Sequence, residues 1–521
     1  MENLARRERL FRTTLTVTLV IIVSKLCGFA RDMITANYFG TGIESDAYTA
    51  AYSMFYLPVL LFNSCITSTL VPLFVQAEKD GGPRAANRFG SNSFNLFALA
   101  ALVIAAIMYV FAGPLVRLVY SGFSPEKLEL TAQLTRIMML SLVFNVTSIV
   151  MSTLLNAREK FMAAQLTGFP LSLAVIVAAV CFSGRYGIQA LAWGVFVSGV
   201  LQVLIQLPFF FGWFKYSAYI DLADPRFRQL LTLAVPAMLS MAVSELNHMI
   251  DHWLASGLGD GAMTALNYAY KLITFISGIL VVPLTTVIFS KLSKLVANRD
   301  TKGIAAVIRR CMETISLVLV PIILICAVLR VDVIRFAYGS GRFDDRSIQM
   351  TSGAFLFYVI GVLTFGLRDL LNRAFHAMKD TRTPFRVGCL AVVLNVILNF
   401  ILRALMGANG LALATTLAGA TAMAVLLRSL SRRLGGLGLK RTGLDLIKVL
   451  AGGAVCALVC WTMDRAMAPA AGRIMVFFRL AAISLVSLGC YGLVELLLQE
   501  RQLAGVSRAI LGKLKGGKSS K

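Results

Sequence analysis

The sequence predicts an all-α polytopic membrane protein with about 14 transmembrane helices. Hydrophobic residues make up 58% of the 521 positions, charged residues only 15%, and the mean hydropathy is +0.76, whereas soluble domains are roughly one-quarter charged. Apolar segments of roughly 20 residues, the length that crosses a bilayer, recur from one end of the chain to the other. A transmembrane β-barrel is excluded because apolar and polar residues do not alternate.

The individual helices follow from these apolar segments and from the Gly, Pro and charged residues between them. They are predicted over residues 13–39, 46–76, 90–119, 131–156, 163–183, 188–213, 229–256, 263–290, 311–334, 350–376, 385–405, 409–428, 444–464 and 474–498. Most Lys and Arg residues fall in alternate connecting segments, which the positive-inside rule assigns to the cytoplasm together with both termini. The net charge of +24 therefore reflects membrane topology, and no nucleic-acid partner is predicted.

Two parts of the chain resemble each other. "YFGTGIESDAYTAAYSM" (38–54) is similar to "SGLGDGAMTALNYAYKL" (256–272), and "YSGF" with "STLLNAREKF" (120–161) is similar to "YGSGRF" with "RDLLNRAFHAMKD" (338–380). Both pairs share an offset of about 218 residues, or six helices, which predicts parallel repeats with a transport site between them. The predicted domains are an N-terminal lobe (1–220), a C-terminal lobe (221–432), and a last helix pair with a basic tail (433–521).

The stretch "SKLCGFARD" places Lys25, Arg31 and Asp32 inside the first predicted helix. A charge at the bilayer centre costs roughly 2.5–3.5 kcal/mol, so such residues pair with one another or face a wet cavity. Lys25 and Asp32 are seven residues apart and share a helix face, whereas the adjacent Arg31 and Asp32 are not expected to pair on a regular helix. With Lys271 of the second repeat, Lys25 and Arg31 predict a cationic cavity for a diphosphate, and the alternative is ion pairing for packing alone. The residues predicted to support this cavity are Ser24, Gly28, Asp32, Asp46 and Glu245.

A second polar group lies on the later helices. Asp251 in "SELNHMIDHW", Asn395 and Asn399 in "NVILNF", and Thr415 form an oxygen-rich set, suited to a small hard cation such as Na⁺. Hydrogen bonding between helices explains the same residues equally well. A zinc site is not predicted, because the histidines near Asp251 lack a convincing set of further ligands.

The sequence does not indicate an enzyme. It contains no Ser-His-Asp set, nucleotide-binding loop or dinucleotide fingerprint, and no soluble domain that could hydrolyse ATP. A membrane transferase acting on polyprenyl-phosphate sugars would need a sizeable outer loop with acid and base residues, and a scaffold would need no buried cations. A transporter driven by a gradient is therefore predicted, with no cofactor except Na⁺ as a candidate coupling ion.

Several longer motifs resemble those of the MurJ/MviN family. They are "SKLCGFARDMITANYFGTGIESDAYTAAY", "LVRLVYSGFSPEKLELTAQLTRIM", "LLNAREKFMAA", "NYAYKL", "YGSGRFDD", and "RAFHAMKDTRTPFRVG" with "NVILN". This family comprises lipid II flippases of the MOP exporter superfamily, and the resemblance covers nearly all of the chain. It implies a multi-pass protein of the bacterial inner membrane that moves a polyprenyl-diphosphate-linked glycan by alternating access for peptidoglycan synthesis, working among membrane lipids as a monomer.

The resemblance also implies roles for particular residues. Lys25, Arg31 and Lys271 resemble the family's cavity cations, and Asp251, Asn395, Asn399 and Thr415 resemble its sodium site, while the last two helices would form a groove for the lipid tail. This chain departs from the family in having lysine where arginine is usual at Lys25 and Lys271. It also has "PVLLFNSCITSTLVP" (58–72) where the family has an arginine pair and an acid. The alternative prediction is therefore a flippase for an exopolysaccharide or O-antigen repeat unit.

Overall fold

The structure is a computed structural model that describes residues 2–298, 300–468 and 472–498. These residues form α-helices, one π-helical segment (Ala178–Phe182) and connecting turns, without strands, so the predicted all-α class is confirmed for the described part of the chain. The α-helices are α1 (Glu2–Phe39), α2 (Ile43–Val110), α3 (Ala112–Val119), α4 (Pro125–Met139), α5 (Leu142–Ala157), α6 (Phe161–Gln165), α7 (Gly168–Val177), α8 (Ser183–Tyr186), α9 (Gln189–Phe211), α10 (Pro225–Ser256), α11 (Ala262–Ala297), α12 (Thr301–Val328), α13 (Arg330–Tyr338), α14 (Asp345–Ala377), α15 (Arg382–Met406), α16 (Ala408–Arg433), α17 (Leu439–Ala466) and α18 (Arg473–Leu498).

Helix α2 spans the predicted helix 46–76 and most of the predicted helix 90–119. Its backbone is non-helical at Gly81 and Gly82, and Gly82 has a φ of 71°, a value that glycine adopts without the steric cost of a Cβ atom. Pro83 follows and fits the first turn of a new helix. The break therefore lies in the segment that the sequence assigned to the connection between predicted helices 46–76 and 90–119.

The predicted helices 131–156 and 163–183 are each interrupted in the structure. The chain bends by 41° between α4 and α5, and the π-helical segment separates α7 from α8. At the α7–α9 contact, a Cβ atom on Gly194 would stand 3.1 Å from the Cα atom of Val175, so glycine permits the close approach of these two helices.

Ten helices among the described residues are long and apolar enough to cross a membrane, or eleven if the bent α4–α5 pair is one span. The divided helix α2 counts once in this number, and the charge-bearing helices α1 and α10 are not included. Each of the 14 predicted helices nevertheless coincides with helical structure. The count of 14 transmembrane spans stays a prediction.

The chain divides into two compact units. The first comprises residues 1–265 and 341–347, and the second comprises residues 266–340 and 348–521. The core of the first unit is built from apolar residues of α1, α2, α4, α5, α7, α9 and α10. In the second unit, Ile325 of α12 packs with Cys460 of α17 and Ile483 of α18, which places the last two helices on α12. The lobe boundaries at residues 220 and 432 stay a prediction.

The internal repeat is visible as one hydrogen bond made twice. The hydroxyl of Tyr120 donates to the carbonyl of Ala50 at 3.3 Å in the first unit. In the second unit the hydroxyl of Tyr338 donates to the carbonyl of Tyr268 at 3.4 Å. Both tyrosines are fully buried, and each bond joins residues 70 positions apart. Equivalent residues of the two sequence repeats thus make equivalent contacts.

Candidate functional site

Arg31 and Asp32 of α1 form an ion pair. The Nε and Nη2 atoms of Arg31 donate to Oδ1 of Asp32 at 3.1 and 3.0 Å. The expectation that these neighbours cannot pair was wrong, because the long guanidinium side chain folds back along the helix to reach the shorter carboxylate. The exposed fractions of the two side chains are only 18% and 12%. The guanidinium of Arg31 is therefore paired and largely shielded from solvent in the C-terminal part of α1.

The other predicted cavity residues of α1 lie in two different environments. Lys25 is exposed, and no ion pair of Lys25 occurs among the residues that the structure describes. A Cβ atom on Gly168 of α7 would lie 2.4 Å from Oγ of Ser24, and a Cβ atom on Gly28 would lie 3.9 Å from Oγ of Ser172 on α7. Ser24 and Gly28 therefore serve the packing of α1 against α7, where small side chains allow helices to approach closely.

A row of three tyrosines lies on α2 beside the Arg31–Asp32 pair, and the sequence reasoning missed it. The ring centroids of Tyr48 and Tyr52 are 6.2 Å apart, and those of Tyr52 and Tyr56 are 6.0 Å apart, with both pairs stacked. Arg31 interacts electrostatically with Tyr48 and Tyr52. The spacing of four residues puts the rings on one helix face, so the pattern in "DAYTAAYSMFY" carried a usable signal.

Helix α10 adds further polar groups to the first unit. Nδ1 of His252 lies 3.0 Å from Oγ of Ser53 on α2. Glu245, which is partly exposed, interacts electrostatically with Tyr56. Asp251 is buried, with 6% of its surface exposed. Glu245 and His252 thus lie near the row of tyrosines on α2, and the role of Glu245 as a supporting residue of the cavity stays a prediction.

Asp46 lies at the start of α2 and is fully buried. Its Oδ2 atom accepts hydrogen bonds from the backbone of Gly261 at 2.7 Å and from Nζ of Lys127 at 3.0 Å. Its Oδ1 atom accepts from both the backbone and the hydroxyl of Thr264, at 2.9 and 2.7 Å. All of this carboxylate's contacts in the structure join loop and helix ends, so Asp46 holds three chain segments together.

Lys127, which the sequence reasoning did not single out, completes this network. Only 2% of its side chain is exposed, and its Nζ atom also lies 2.7 Å from Oδ1 of Asp260. The same atom is 4.7 Å above the ring of Phe123. A buried ammonium is stable only with such partners. Lys127 is visible in the sequence "SPEKLELT". Its partner Asp46 is 81 positions away, and no local sequence pattern indicates this pairing.

The segments that meet at Asp46 form a larger loop cluster, defined as residues 37–46, 120–127, 257–264 and 341–347. The backbone of Arg342 donates to the carbonyl of Asn37 at 2.8 Å, and its side chain pairs with Glu44 at 3.1 Å. The hydroxyl of Thr41 donates to Ser347 at 2.7 Å. The loop cluster lies within the first compact unit and is tied by both backbone and charged contacts.

Lys271 of α11 lies in the second compact unit and is partly buried. Its Nζ atom is 5.7 Å from the ring centroid of Tyr268, which itself packs on Tyr338 with centroids 4.7 Å apart. A cation over an aromatic face is stabilised by the ring quadrupole. The convergence of Lys271 with Lys25 and Arg31 stays a prediction.

Three of the four predicted sodium ligands lie together in the second unit. Nδ2 of Asn395 donates to Oγ1 of Thr415 at 3.2 Å, and Nδ2 of Asn399 donates to Oδ1 of Asn395 at 2.8 Å. Both asparagines are buried, with exposed fractions of 2% and 0%. The set joins α15 to α16 and offers the amide oxygens of two buried asparagines and the hydroxyl oxygen of Thr415, which is partly exposed. These contacts are compatible with hydrogen bonding between helices and with a hard cation.

Comparisons with known proteins agree with this architecture. The family model "Lipid II flippase MurJ" matches residues 35–481. The probable lipid II flippase MurJ of Rhizobium tropici is 29% identical over 424 residues, covering 79% of each chain. The lipid II flippase MurJ of Burkholderia cenocepacia is 28% identical over 420 residues, covering 78% of this chain and 80% of that protein.

Solved structures show the same fold. A lipid II flippase MurJ in an inward closed conformation superimposes with a TM-score of 0.80 at 24% identity, covering 94% of this chain and all of that one. An inward-facing multidrug transporter of the MATE family, in the MOP superfamily, gives a TM-score of 0.68 at 14% identity, covering 80% and 95%. The helices described above are thus arranged as in MOP-superfamily transporters.

Proposed function

Because the chain belongs to the MurJ family of lipid II flippases, we propose that it carries lipid II across the bacterial inner membrane for cell-wall synthesis. The observation that carries this proposal is the family match over residues 35–481, which includes the helices that carry Glu245 and Lys271. The fold of a MOP transporter supports movement by alternating access. As a flippase, the protein is a transporter and a multi-pass protein of the inner membrane.

The Arg31–Asp32 pair suits the diphosphate of such a substrate. Two N–H groups of Arg31 are directed to one carboxylate oxygen, and the other N–H groups of the fork can donate to phosphate oxygens. Asp32 fixes the guanidinium in place and reduces the cost of holding a cation away from water. Lys25, which is exposed on the same helix, supplies a further positive charge for the same group.

We propose that the loop cluster opens and closes during alternating access. Its contacts are hydrogen bonds and ion pairs between segments far apart in sequence, including those of Asp46 and Arg342. Polar contacts of this kind can be exchanged for water when the segments part, which a packed apolar surface cannot do at similar cost. We assign the loop cluster the role of a closure that the transport cycle breaks and remakes.

Sodium is proposed as the coupling ion. Asn395 and Asn399 are buried and Thr415 is partly exposed. Their side-chain oxygens are ligands of the type that a hard cation prefers. Sodium would supply a positive charge that fixes α15 against α16. Asp251 as an additional ligand, both termini in the cytoplasm, and a monomeric state belong to the same proposal.

The test is complementation of a bacterial strain depleted of its own lipid II flippase. We expect the unchanged chain to restore growth and Arg31→Gln to fail. The matched control is Arg185→Gln, because Arg185 is an exposed arginine of the same unit, and this variant should restore growth. Failure of the unchanged chain despite normal insertion in the membrane would overturn lipid II as the substrate and leave the exopolysaccharide or O-antigen unit.

A further inference from the structure

The row of tyrosines on α2 has no role in the proposed diphosphate site. This tyrosine ladder, defined as Tyr48, Tyr52 and Tyr56, has successive ring planes inclined by only 27° and 11°. Eight residues separate its ends, which is about 12 Å along the helix axis at 1.5 Å per residue. Tyr56 has an exposed fraction of 39%, and Tyr48 and Tyr52 are partly exposed. Tyr56, at the C-terminal end of the stack, is therefore the ring of the ladder that is most accessible to a ligand.

The groups around the ladder are polar. Arg31 lies within electrostatic range of Tyr48 and Tyr52, and Glu245 lies within electrostatic range of Tyr56. His252 is hydrogen-bonded to Ser53 in the same part of α2. Charged and titratable side chains inside a membrane protein face water or a polar ligand, because acyl chains cannot solvate them. The ladder therefore belongs to a face that meets water or polar substrate.

We propose that the tyrosine ladder binds the saccharide of the lipid-linked substrate by stacking, with the diphosphate held next to it by Arg31. This inference rests on the proposed function and specifies how the glycan is recognised. A pyranose ring presents C–H groups of slight positive charge on its flat face, and these are attracted to the negative face of an aromatic ring. The phenol hydroxyls, Glu245 and His252 can donate to or accept from the sugar hydroxyls.

The charge distribution of α2 favours this occupant. The segment from Pro58 to Pro72, which continues α2 beyond Tyr56, contains no basic residue. A second phosphate-binding group is therefore lacking there, whereas the segment contains four hydroxyl side chains and one aromatic ring, Phe62. Packing alone would be served by phenylalanine or leucine, and the three hydroxyl groups would then have no use on a partly exposed strip. The order along α2 thus places the diphosphate near Tyr48 and Tyr52 and the sugar toward Tyr56.

The experiment measures binding to the full-length chain in lipid nanodiscs with two probes. One probe is a short-chain polyprenyl diphosphate, and the other is the same molecule carrying a disaccharide. We expect Tyr56→Leu to weaken binding of the glycosylated probe about fivefold, from the loss of one stacked ring, and to change binding of the bare diphosphate by less than about twofold. Tyr56→Phe should keep most of the affinity, because it retains the ring.

The controls separate this inference from the proposed function. Tyr109→Leu removes an equally exposed tyrosine of α2 outside the ladder and should leave both affinities unchanged, while Arg31→Gln should weaken both probes. The inference is overturned if Tyr56→Leu, with an unchanged melting temperature, weakens both probes alike or neither. In that case the proposed function still stands if Arg31→Gln weakens both. If the unchanged chain binds neither probe, the proposed function itself fails and the inference with it.

Discussion

At the scale of single residues, Asp46 is the side chain whose loss should cost the most stability. It is fully buried and accepts four hydrogen bonds, one of them from Lys127. Asp46→Ala would leave a buried ammonium with one partly exposed partner and would leave two backbone N–H groups without an acceptor. We expect a loss of about 3–5 kcal/mol, the usual cost of removing one partner from a buried pair, measured as unfolding of the purified protein in detergent.

Asp260→Asn is the matched control, because Asp260 contacts the same Lys127 but has an exposed fraction of 53%. Because the side chain of Asp260 is accessible to water, water can replace its contact with Lys127, so this variant should lose much less stability than Asp46→Ala. Equal losses for Asp46→Ala and Asp260→Asn would show that burial of Asp46 is not what stabilises the loop cluster.

Sequence reasoning located charged residues at the site more easily than their partners. A charge inside an apolar helix, such as Arg31, stands out because of its desolvation cost, so Arg31, Asp32 and Asp46 were all found. Their contacts were not found: Arg31 pairs with its neighbour, and Asp46 pairs with a lysine 81 positions away. Side-chain rotamers and loop positions decide such contacts, and neither can be read from helical spacing.

At the scale of elements, the close packing of the α13–α14 loop depends on glycine. Gly341 has a φ of 59°, and a Cβ atom there would collide with both the side chain and the backbone carbonyl of Asn37 at the end of α1. Gly341→Ala should therefore separate the loop from α1 and lower the melting temperature. It should also weaken the Arg342–Glu44 ion pair, since Arg342 follows directly.

Gly407→Ala provides a control in which the backbone conformation is the only source of strain. Gly407 has a φ of 60° and a ψ of −131°, but nothing lies within 4 Å of the Cβ position. Alanine is therefore disfavoured there by its backbone dihedral angles alone. The loss caused by Gly341→Ala should exceed that of Gly407→Ala, and thermal unfolding of the two variants side by side measures the difference. Losses of the same size would mean that the contact with Asn37 does not matter.

The start of α15 is stabilised by a carboxylate whose effect depends on pH. Asp380 accepts hydrogen bonds from the backbone and hydroxyl of Thr383 and pairs with Arg433. The backbone N–H of Thr383, followed by the other contacts, lowers the pKa of Asp380 below its ordinary value. A lowered pKa in the folded state means that the stabilisation is present above the ordinary Asp pKa of about 3.9 and is lost as the pH falls below it.

We therefore expect Asp380→Ala to cost about 0.5–2 kcal/mol at pH 7, as for other helix caps, and less at pH 3. The measurement is the difference in unfolding between the variant and the unchanged chain at each pH, which cancels acid effects elsewhere in the molecule. Asp380→Asn keeps an acceptor without a titrating charge, so its cost at pH 7 should be the smaller of the two. A cost of Asp380→Ala that is equal at pH 3 and pH 7 would contradict the role of the charge.

Element positions were predicted well and their interruptions were not. All 14 predicted helices coincide with helical structure, because a long apolar run in lipid has no alternative to a helix. The bend between α4 and α5 and the π-helical segment after α7 were missed. Such interruptions depend on what each helix packs against. Gly194 on α9, for example, permits close contact with α7, and the sequence alone does not show which helix it faces.

At the scale of the whole molecule, fold and substrate are specified by different residues. A MATE-family transporter shares the arrangement of helices at only 14% identity, so sequences that differ at most positions can form this fold. Substrate choice then depends on the few side chains that such a fold carries on its polar faces. In this chain we propose that they include Arg31, Asp32 and the tyrosine ladder, which combine a guanidinium group with aromatic rings.

The orientation of the molecule in the membrane gives a prediction at this largest scale. Lys79 and Arg342 are both exposed. Lys79 shares its connecting segment with Arg84 and Arg88, and the positive-inside rule assigns this segment to the cytoplasm. Arg342 lies in the loop cluster, an odd number of predicted helices away. In cells with a permeabilised outer membrane, a membrane-impermeant maleimide should label Arg342→Cys at once and Lys79→Cys only after the inner membrane is lysed.

The unchanged chain serves as the reference for this labelling, because it already contains nine free cysteines, of which Cys181 is exposed. Only labelling above this background counts for either variant. Labelling of Lys79→Cys before lysis would reverse the assigned orientation, and the loop cluster would then close the cytoplasmic end. The basic segments would in that case face outward, against the field that retains Lys and Arg on the cytoplasmic side, so the labelling order tests the charge distribution of the whole chain directly.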